Sequence, residues 1–297
     1  MTKPSLAVII PAYGPSPHLR LVLSALFAGT DRPDEVCVSH SGSHDPREWL
    51  AGEFPQVRAL HSPERLFAGA ARNRGAAEVN AEILAFCDND TLPQPDWAQR
   101  IRGHFAERDG VFLVGSVGVA TSGGYWGMAT WLCEFSEQAP WRPEGEQPGG
   151  ASCNMAVHID DFRRVGGFPE DYRAGQDTML LHRLRESGLK QMFDPRVEVR
   201  HCNIAGFGHF AQHLANQGRH FAKVRRAAQL PGHTAVRFWP LAPALGLAKG
   251  ARIVGRIAAA GRFGTLLARL PGIAIGMAIW AGGCTYAAAS RRFTGEY

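Results

Sequence analysis

Several features are scarce in this chain of 297 residues, and each absence argues against a class of protein. The six cysteines are scattered, with no CxxC pair, so neither a disulfide framework nor a zinc knuckle is indicated, and we expect a reducing compartment. The apolar run before Pro11 has only about five residues, whereas a secretory signal needs roughly 7–15. We therefore expect the part of the chain that follows this run to face the cytoplasm.

Acidic residues are almost absent from the last third of the chain. Residues 1–200 carry 20 Lys and Arg against 26 Asp and Glu, whereas residues 201–297 carry 12 against Glu296 alone. This asymmetry predicts contact with an anionic surface, either phospholipid or nucleic acid. The hydrophobic content of 45% is typical of a globular protein with one large core or two smaller ones.

Short apolar runs alternate with helical patterns along the first part of the chain. Four runs predict strands, at residues 6–10, 35–39, 57–61 and 83–87. Residues 19–27 show one apolar stripe at helical spacing, and 66–80 also have helical character. The alternation predicts a doubly wound, Rossmann-like α/β sheet flanked by helices, in which ligands bind beyond the carboxyl ends of the strands.

The middle of the chain is less regular. Residues 117–150 are rich in Gly, Trp and Pro without a sustained period, which predicts an irregular, substrate-facing loop. Beyond them, residues 160–165 and 177–187 are predicted as helices and 197–201 as a strand.

Two carboxylates, Asp88 and Asp90, directly follow the fourth predicted strand and are separated by Asn89. Oxygen ligands suit Mg²⁺ or Mn²⁺, which proteins commonly hold with one or two carboxylates plus substrate phosphates. The same triplet also fits an Asp-rich turn before the next helix, with Asp96 among the start signals. Both interpretations stay open on the triplet alone.

Five further motifs lie before and after this triplet along the chain. They are Ala7-Val8-Ile9-Ile10-Pro11-Ala12-Tyr13, Gly69-Ala70-Ala71-Arg72-Asn73-Arg74-Gly75, Gly166-Gly167-Phe168, Gly175-Gln176-Asp177 and Arg200-His201. Together with the triplet they resemble glycosyltransferase family 2, the inverting enzymes of the GT-A fold, over roughly residues 5–201. The resemblance implies a GT-A-like mixed sheet and a metal-dependent transferase that uses a nucleotide-sugar donor.

The resemblance also assigns roles to individual residues. The residues implied to bind the donor are Pro11, Ala12, Tyr13, Ser41, Arg72, Asp88, Asn89 and Asp90. Asp90 is the implied direct ligand of Mn²⁺ or Mg²⁺, with His201 as a further metal ligand and Asp88 nearer the ribose. For Arg72, a solvated or paired position on its helix is an equal alternative to binding the diphosphate or orienting the Asp88 and Asp90 carboxylates. For His201, a structural role is likewise open.

Asp177 is the implied general base. An acceptor hydroxyl that attacks an anomeric carbon needs a base within hydrogen-bond reach, and a carboxylate at a helix start is held rigidly. An ordinary helix cap is the alternative. Gln176 and Asn154 are implied to lie on the acceptor side, and a core or turn role is equally open for Asn154.

Two positions depart from the family pattern. Ser41 stands where an acidic residue usually contacts the nucleotide base, so the sequence does not identify the nucleotide. Gln176 replaces the usual Glu beside the base, which removes a negative charge and is expected to alter acceptor choice without abolishing catalysis.

The C-terminal region predicts membrane association. Aromatic and basic residues are mixed from 207 to 262, and residues 270–289 contain no charged residue over about 20 positions, long enough to cross a bilayer. Its glycines and alanines make it only moderately hydrophobic, so an interfacial or re-entrant helix stays open, as does a buried helix of the soluble domain. Because the apolar stretches are long, we prefer an anionic membrane surface over nucleic acid as the partner.

These observations predict a catalytic domain at 1–228 and a helical, basic, apolar membrane-associating region at 229–297. The predicted function is transfer of a sugar to a saccharide or lipid-linked acceptor in cell-surface polysaccharide or glycolipid synthesis, at the cytoplasmic face of the membrane. A nucleotidyltransferase and a non-catalytic membrane scaffold are the alternatives. The first typically has a glycine-rich, lysine-bearing loop after its first strand, and this chain has no lysine there. The sequence does not indicate an oligomeric state.

Overall fold

The computed structural model describes residues 3–290. They form two compact units, described separately below: a sheet unit of residues up to 120 with 138–202, and a helical unit of residues 121–137 with 203 onward. This boundary at 202 lies earlier in the chain than the functional boundary we predict at 228. The functional division therefore stays a prediction.

The sheet unit is built on a sheet of nine strands. The strands are β1 (Leu6–Tyr13), β2 (Glu35–Ser41), β3 (Val57–Ser62), β4 (Ile83–Cys87), β5 (Thr91–Pro93), β6 (Val111–Thr121), β7 (Gly145–Glu146), β8 (Asn154–His158) and β9 (Lys190–Cys202). The helices between them are α1 (Leu19–Phe27), α2 (Arg47–Glu53), α3 (Ala68–Ala77), α4 (Trp97–Glu107), α6 (Ile159–Arg164) and α7 (Gln176–Glu186). Helix α5 (Gly124–Phe135) belongs to the helical unit.

The sheet is mixed, in the order β3-β2-β1-β4-β8-β6-β9-β5, with β7 beside β9. Strands β1 to β4 are mutually parallel, and β8 joins β4 antiparallel. The predicted mixed α/β sheet with flanking helices is confirmed. Because β1 and β4 are neighbours, the segments that follow their carboxyl ends lie side by side, and the acidic triplet belongs to one of them.

A core of apolar side chains fixes this arrangement. Ile9, Phe86, Met155, Phe168 and Leu180 are members of one fully buried cluster that joins the sheet to its helices. Strands β1 and β4 are buried along almost their whole length, as expected for parallel strands covered on both faces.

The prediction of irregular structure over residues 117–150 is wrong in part, because β6 continues to Thr121 and α5 follows. Helix α5 buries Gly127, Ala129, Trp131 and Leu132, which lie on several of its sides. A helix buried on more than one side shows no single apolar stripe, so its sequence carries little helical periodicity.

The helical unit contains α5 and a series of helices after residue 203. They are α8 (Phe207–Ala227), α9 (His233–Arg237), a 3₁₀ turn (Trp239–Leu241), α10 (Ala242–Ala259) and α11 (Phe263–Ser290). The predicted apolar C-terminal helix is confirmed as α11, which is long and apolar enough to cross a membrane by length and composition.

Candidate functional site

The acidic triplet forms a turn directly after β4, held by contacts with β5 and β9. The Thr91 hydroxyl accepts a hydrogen bond from the Asp88 backbone N–H at 3.0 Å, and the Asp90 carbonyl accepts one from the Cys202 N–H at 2.9 Å. The Asn89 side chain donates to the Ser16 hydroxyl at 2.8 Å. These contacts hold the Asp88 and Asp90 carboxylates at the edge of the sheet, where each is about one-third exposed.

Arg72, on α3, connects a neighbouring helix to this turn. Its Nη2 donates to Asp88 Oδ1 at 2.5 Å, and its guanidinium carbon lies 5.3 Å from the centre of the Phe168 ring. The residue is only 2% exposed, and its Nε and Nη1 have no hydrogen-bond partner among the described residues. Buried guanidinium groups are nearly always paired, so two unsatisfied nitrogens indicate a place for an anionic ligand.

Asn73, the next residue, joins α3 to the turn at Gly166-Gly167-Phe168. Its Nδ2 donates to the Phe168 carbonyl at 2.8 Å, and its Oδ1 accepts from the Phe168 N–H at 2.9 Å. Gly167 has a φ of +64°, and a Cβ built there would lie 2.6 Å from Asn73 Oδ1. A glycine is therefore required at this contact.

A cavity of about 240 Å³ opens beside Arg72 and the acidic turn. The residues that line it are Pro11, Ala12, Tyr13, Arg65, Leu66, Phe67, Ala68, Ala71, Arg72, Asp88, Asn89 and Arg173. Three arginines and one carboxylate give this lining a positive balance, which suits a phosphate-bearing ligand. Six of the predicted donor-binding residues thus lie around one cavity.

Asp90 and His201 form a pair beside it, with His201 Nε2 3.5 Å from Asp90 Oδ2. Strand β9 places His201 opposite Thr91 in β5, which explains the proximity. Within residues 3–290 no group of three or more His, Cys, Asp or Glu side chains is arranged to hold a metal ion. A metal held by this pair would therefore take its remaining ligands from substrate or water.

Asp177 lies in the first turn of α7, and its Oδ1 accepts a hydrogen bond from the Thr178 N–H at 2.7 Å. Gln176 beside it is buried, and its Oε1 has no hydrogen-bond partner among the described residues. A Cβ on Gly69 would lie 3.3 Å from Gln176 Cγ, so α3 and the start of α7 pack closely. Asp177 does not line the cavity.

Ser41 and Asn154 are further predicted site residues outside the cavity lining, and their side chains bond to the backbone or to buried side chains of the sheet unit. The buried Ser41 hydroxyl accepts the Leu66 N–H at 3.1 Å, which holds the loop that carries Arg65. The Asn154 amide accepts from Trp97 and donates to the Ser116 and Val197 carbonyls, all at 2.7–2.9 Å. Their roles in donor and acceptor binding stay predictions.

His40, the residue before Ser41, is also buried and paired. Its ring nitrogens lie 2.9 Å from the Gly14 carbonyl and 3.2 Å from His61 Nδ1. Burial lowers the pKa of His40, and His61 adds to the effect, so the ring is neutral at physiological pH. Burial likewise raises the pKa of Cys87, beside the acidic turn, to about 12, which makes a thiolate ligand unfavourable.

Arg65 and Arg173 are lining residues that our sequence analysis missed. The Arg65 guanidinium lies 4.4 Å from the centre of the Tyr13 ring, and Arg173 belongs to the loop before α7. Both arginines are in loops, where no periodicity indicates which way a side chain points. The available signal was their position a few residues before matched motifs.

The sheet order and the acidic turn define a GT-A-fold protein, and the solved structures agree. The mannosyltransferase PcManGT from Pyrobaculum calidifontis, solved with GDP-Man and Mn²⁺, matches with a TM-score of 0.61 and 19% identity, over 100% of this chain and 89% of that one. GalNAc-T7, solved with UDP, GalNAc and Mn²⁺, matches with a TM-score of 0.57 and 14% identity, over 77% of this chain and 52% of that one. The predicted fold is confirmed.

The chain belongs to glycosyl transferase family 2, whose model matches residues 7–165. It is 27% identical to the pre-mycofactocin glycosyltransferase of Mycobacterium tuberculosis, over 65% of this chain and 42% of that protein. It is also 27% identical to the N-acetylglucosaminyl-diphospho-decaprenol L-rhamnosyltransferase of the same organism, over 71% and 80%. The glycosyltransferase AglE of Haloferax volcanii is 27% identical over 65% of each chain. The chain spans less than half of the first of these relatives.

Proposed function

We propose that this protein transfers a sugar from a nucleotide-diphosphate donor to an acceptor hydroxyl with inversion at the anomeric carbon. The observation that carries the proposal is Arg72, a buried guanidinium that lines the cavity and has two unpartnered nitrogens. A donor diphosphate would supply the missing acceptors and compensate the buried positive charge.

The rest of the lining supports the same ligand. Arg65 and Arg173 add two cations for the diphosphate, and Tyr13 presents a half-exposed ring on which a nucleobase can stack. Asp88, already fixed by Arg72, keeps one-third of its side chain exposed and is available to a ribose hydroxyl. The donor therefore occupies the edge beyond β1 and β4, where ligands bind in open α/β sheets.

The residues present also fit a divalent metal. Asp90 offers oxygen and His201 offers nitrogen, a donor set that suits Mn²⁺, and two protein ligands leave positions for diphosphate oxygens. When bound there, the metal would neutralise charge on the leaving diphosphate. The Mn²⁺ in two solved structures of the same fold is consistent with this assignment.

Asp177 is the proposed general base. Its Oδ1 accepts a backbone N–H at the start of α7, which restrains the carboxylate and leaves it partly exposed. The carboxylate would take the proton from the acceptor hydroxyl as its oxygen bonds to the anomeric carbon and the bond to the diphosphate breaks. The adjacent Gln176 is uncharged, so the pair Gln176-Asp177 presents one carboxylate to the acceptor instead of two.

The acceptor we propose is saccharide-bearing or lipid-linked, within synthesis of a cell-surface glycan at the cytoplasmic face of the membrane. One relative acts, by its name, on a diphospho-decaprenol compound. The apolar helix α11 and the basic C-terminal region are consistent with an enzyme that works at a lipid surface.

The test is Asp177→Asn in the full chain. We expect this variant to keep the rise in melting temperature that a nucleotide-sugar gives with Mn²⁺ and to lose transfer by at least about a hundredfold, since general-base catalysis contributes roughly 10²–10⁴. Hydrolysis and transfer products from UDP-, GDP- and dTDP-sugars are measured by chromatography. Transfer at the wild-type rate would contradict the proposed base.

A matched control separates catalysis from helix capping. Asp160 lies in the first turn of α6, as Asp177 does in α7, and does not line the cavity. Asp160→Asn should leave transfer unchanged. A large fall in melting temperature in Asp177→Asn without ligand would show instead that the carboxylate mainly stabilises its helix.

A further inference from the structure

An apolar groove of about 700 Å³ runs between α10 and α11 within the helical unit. Its wall on α10 includes Leu247 and Val254, and its wall on α11 includes Leu270, Ala274 and Ala278. Thr285 is the one residue of the lining with a polar side chain, and no charged side chain lines the groove. A groove of this composition suits a hydrocarbon chain rather than a polar ligand.

The opposite face of α11 is packed against protein. A Cβ on Gly218 of α8 would lie 2.0 Å from the Trp280 carbonyl, and one on Gly283 would lie 2.2 Å from the Ala215 carbonyl. Gly276, Trp280 and Cys284 are buried on this face. Glycine contacts of this kind bring two helix backbones together, so only part of the circumference of α11 is available to lipid.

Exposed apolar side chains continue from the groove along the neighbouring segments. Leu247 is 77% exposed, Leu267 75%, Phe238 63% and Trp239 50%. Large apolar surfaces of this kind mark interaction sites, and Trp beside Leu and Phe is typical of helices that lie in a membrane interface.

The net charge of the helical unit indicates that its partner is negatively charged. Its described residues, 121–137 and 203–290, carry ten Lys and Arg and only two acids, Glu134 and Glu137. Both acids are engaged, Glu134 with His213 and Glu137 with Arg256, each at 2.9 Å. Among the cations, Arg237 is exposed next to Phe238, and Arg252 is exposed on α10, which also carries Leu247.

We propose that the α10–α11 face, from Phe238 to Ala278, is a docking surface for an anionic phospholipid bilayer. The groove buries hydrocarbon, Arg237 and Arg252 meet lipid phosphates, and α11 lies along the interface instead of crossing it. Because one face of α11 packs closely against α8, a crossing would require that contact to open. The inference refines the membrane partner in the proposed function but does not depend on sugar transfer.

The test is flotation of the full chain with vesicles of phosphatidylcholine alone or mixed with phosphatidylglycerol. We expect binding to the mixed vesicles, weakened by salt, and little binding to the neutral ones. Leu247→Glu and Leu267→Glu should each reduce the bound fraction about tenfold or more, because a carboxylate then enters hydrocarbon. Leu21→Glu is the matched control: Leu21 is 53% exposed on α1 in the sheet unit, and the variant should bind like wild type.

Other outcomes would overturn the proposal. Unchanged binding by both Leu247→Glu and Leu267→Glu, with circular dichroism that shows intact folding, would place the lipid contact elsewhere. If the wild-type protein did not bind the anionic vesicles but formed a dimer, and Leu247→Glu were monomeric, the groove would be assigned to a second copy of the chain. Protein in cell membranes that resists alkaline extraction would show that α11 spans the bilayer. A variant that loses transfer but still floats separates failure of the proposed function from failure of this inference.

Discussion

Arg72 is the residue on which the donor site depends most. It is buried, stacks on Phe168 and has one of its nitrogens bonded to Asp88. Lysine at this position would keep the charge but could not hold Asp88 and a diphosphate with separate nitrogens. We expect Arg72→Lys to lower kcat/KM for the donor roughly tenfold to a hundredfold, as a charge-assisted hydrogen bond contributes about 1.5–3 kcal/mol.

The measurement is steady-state kinetics with the donor varied. Arg74→Lys is the control, because Arg74 lies on the same helix and donates to the His61 carbonyl at 3.1 Å. It should keep kcat/KM near the wild-type value, because Arg74 does not line the cavity. Equal kinetics for Arg72→Lys and wild type would mean that Arg72 only supports the acidic turn.

At the residue scale, the sequence correctly predicted those cavity-lining residues that belong to a family motif and also lie at the end of a strand. Asp88 and Asn89 follow β4, Tyr13 ends β1, and all three line the cavity. Ser41 also ends a strand, yet its hydroxyl faces the Leu66 backbone. The hydrogen-bond partner of a buried hydroxyl depends on the path of the loop that packs against it. Loops lack a periodic sequence pattern, so this path cannot be predicted from the sequence.

The packing of α8 on α11 is the contact that most constrains the helical unit. We expect Gly218→Ala to destabilise the protein by about 1–3 kcal/mol, because its Cβ would lie 2.0 Å from the Trp280 carbonyl and the helices must separate. Chemical unfolding followed by circular dichroism measures the effect. Gly208→Ala is the control on the same helix, since a Cβ there meets nothing within 4 Å.

The control variant Gly208→Ala is not expected to lower the stability of the protein. Alanine has the higher helix propensity and reduces the entropy of the unfolded chain, so Gly208→Ala should be neutral or stabilising by up to about 1 kcal/mol. If Gly218→Ala proved as stable as Gly208→Ala, then α8 and α11 would not pack as closely in solution as their glycine contacts require.

At the element scale, the strongly periodic segments were predicted best. The amphipathic α1 and the continuous apolar strands β1 and β4 carry clear patterns over their whole length. Helix α5 was missed because it is buried on several sides, and the order of β8, β6 and β9 was not predicted. That order is set by long-range antiparallel pairing, for which local sequence contains no signal.

The free energy of unfolding of the whole molecule should decrease as the pH is lowered from about 6.5 to 4, and His104 is one cause. Burial, together with the neighbouring Arg108, lowers the pKa of this ring to about 4, against about 6.5 in an unfolded chain. Above pH 6.5 the ring is neutral in both states. As the pH falls from 6.5 towards 4, only the unfolded chain gains the proton, so folding loses up to about 3 kcal/mol.

Urea unfolding at a series of pH values, for wild type and His104→Gln, measures this dependence. The variant should show a shallower decline between pH 6.5 and 4 and a similar slope below that window. Parallel curves for the two proteins would show that His104 is protonated equally in the folded and unfolded states.

The central claim for the whole molecule is that Asp90 helps hold a divalent metal against a donor diphosphate. Its most direct test is the melting temperature with UDP, GDP or dTDP, with and without Mn²⁺, for wild type, Asp90→Asn and the control Asp96→Asn, whose carboxylate pairs with Arg100. A ligand at a hundredfold excess over its Kd adds about 2.7 kcal/mol of stability. We predict a Mn²⁺-dependent rise with one nucleotide in wild type and Asp96→Asn that is lost in Asp90→Asn; an unchanged rise in Asp90→Asn would contradict the account.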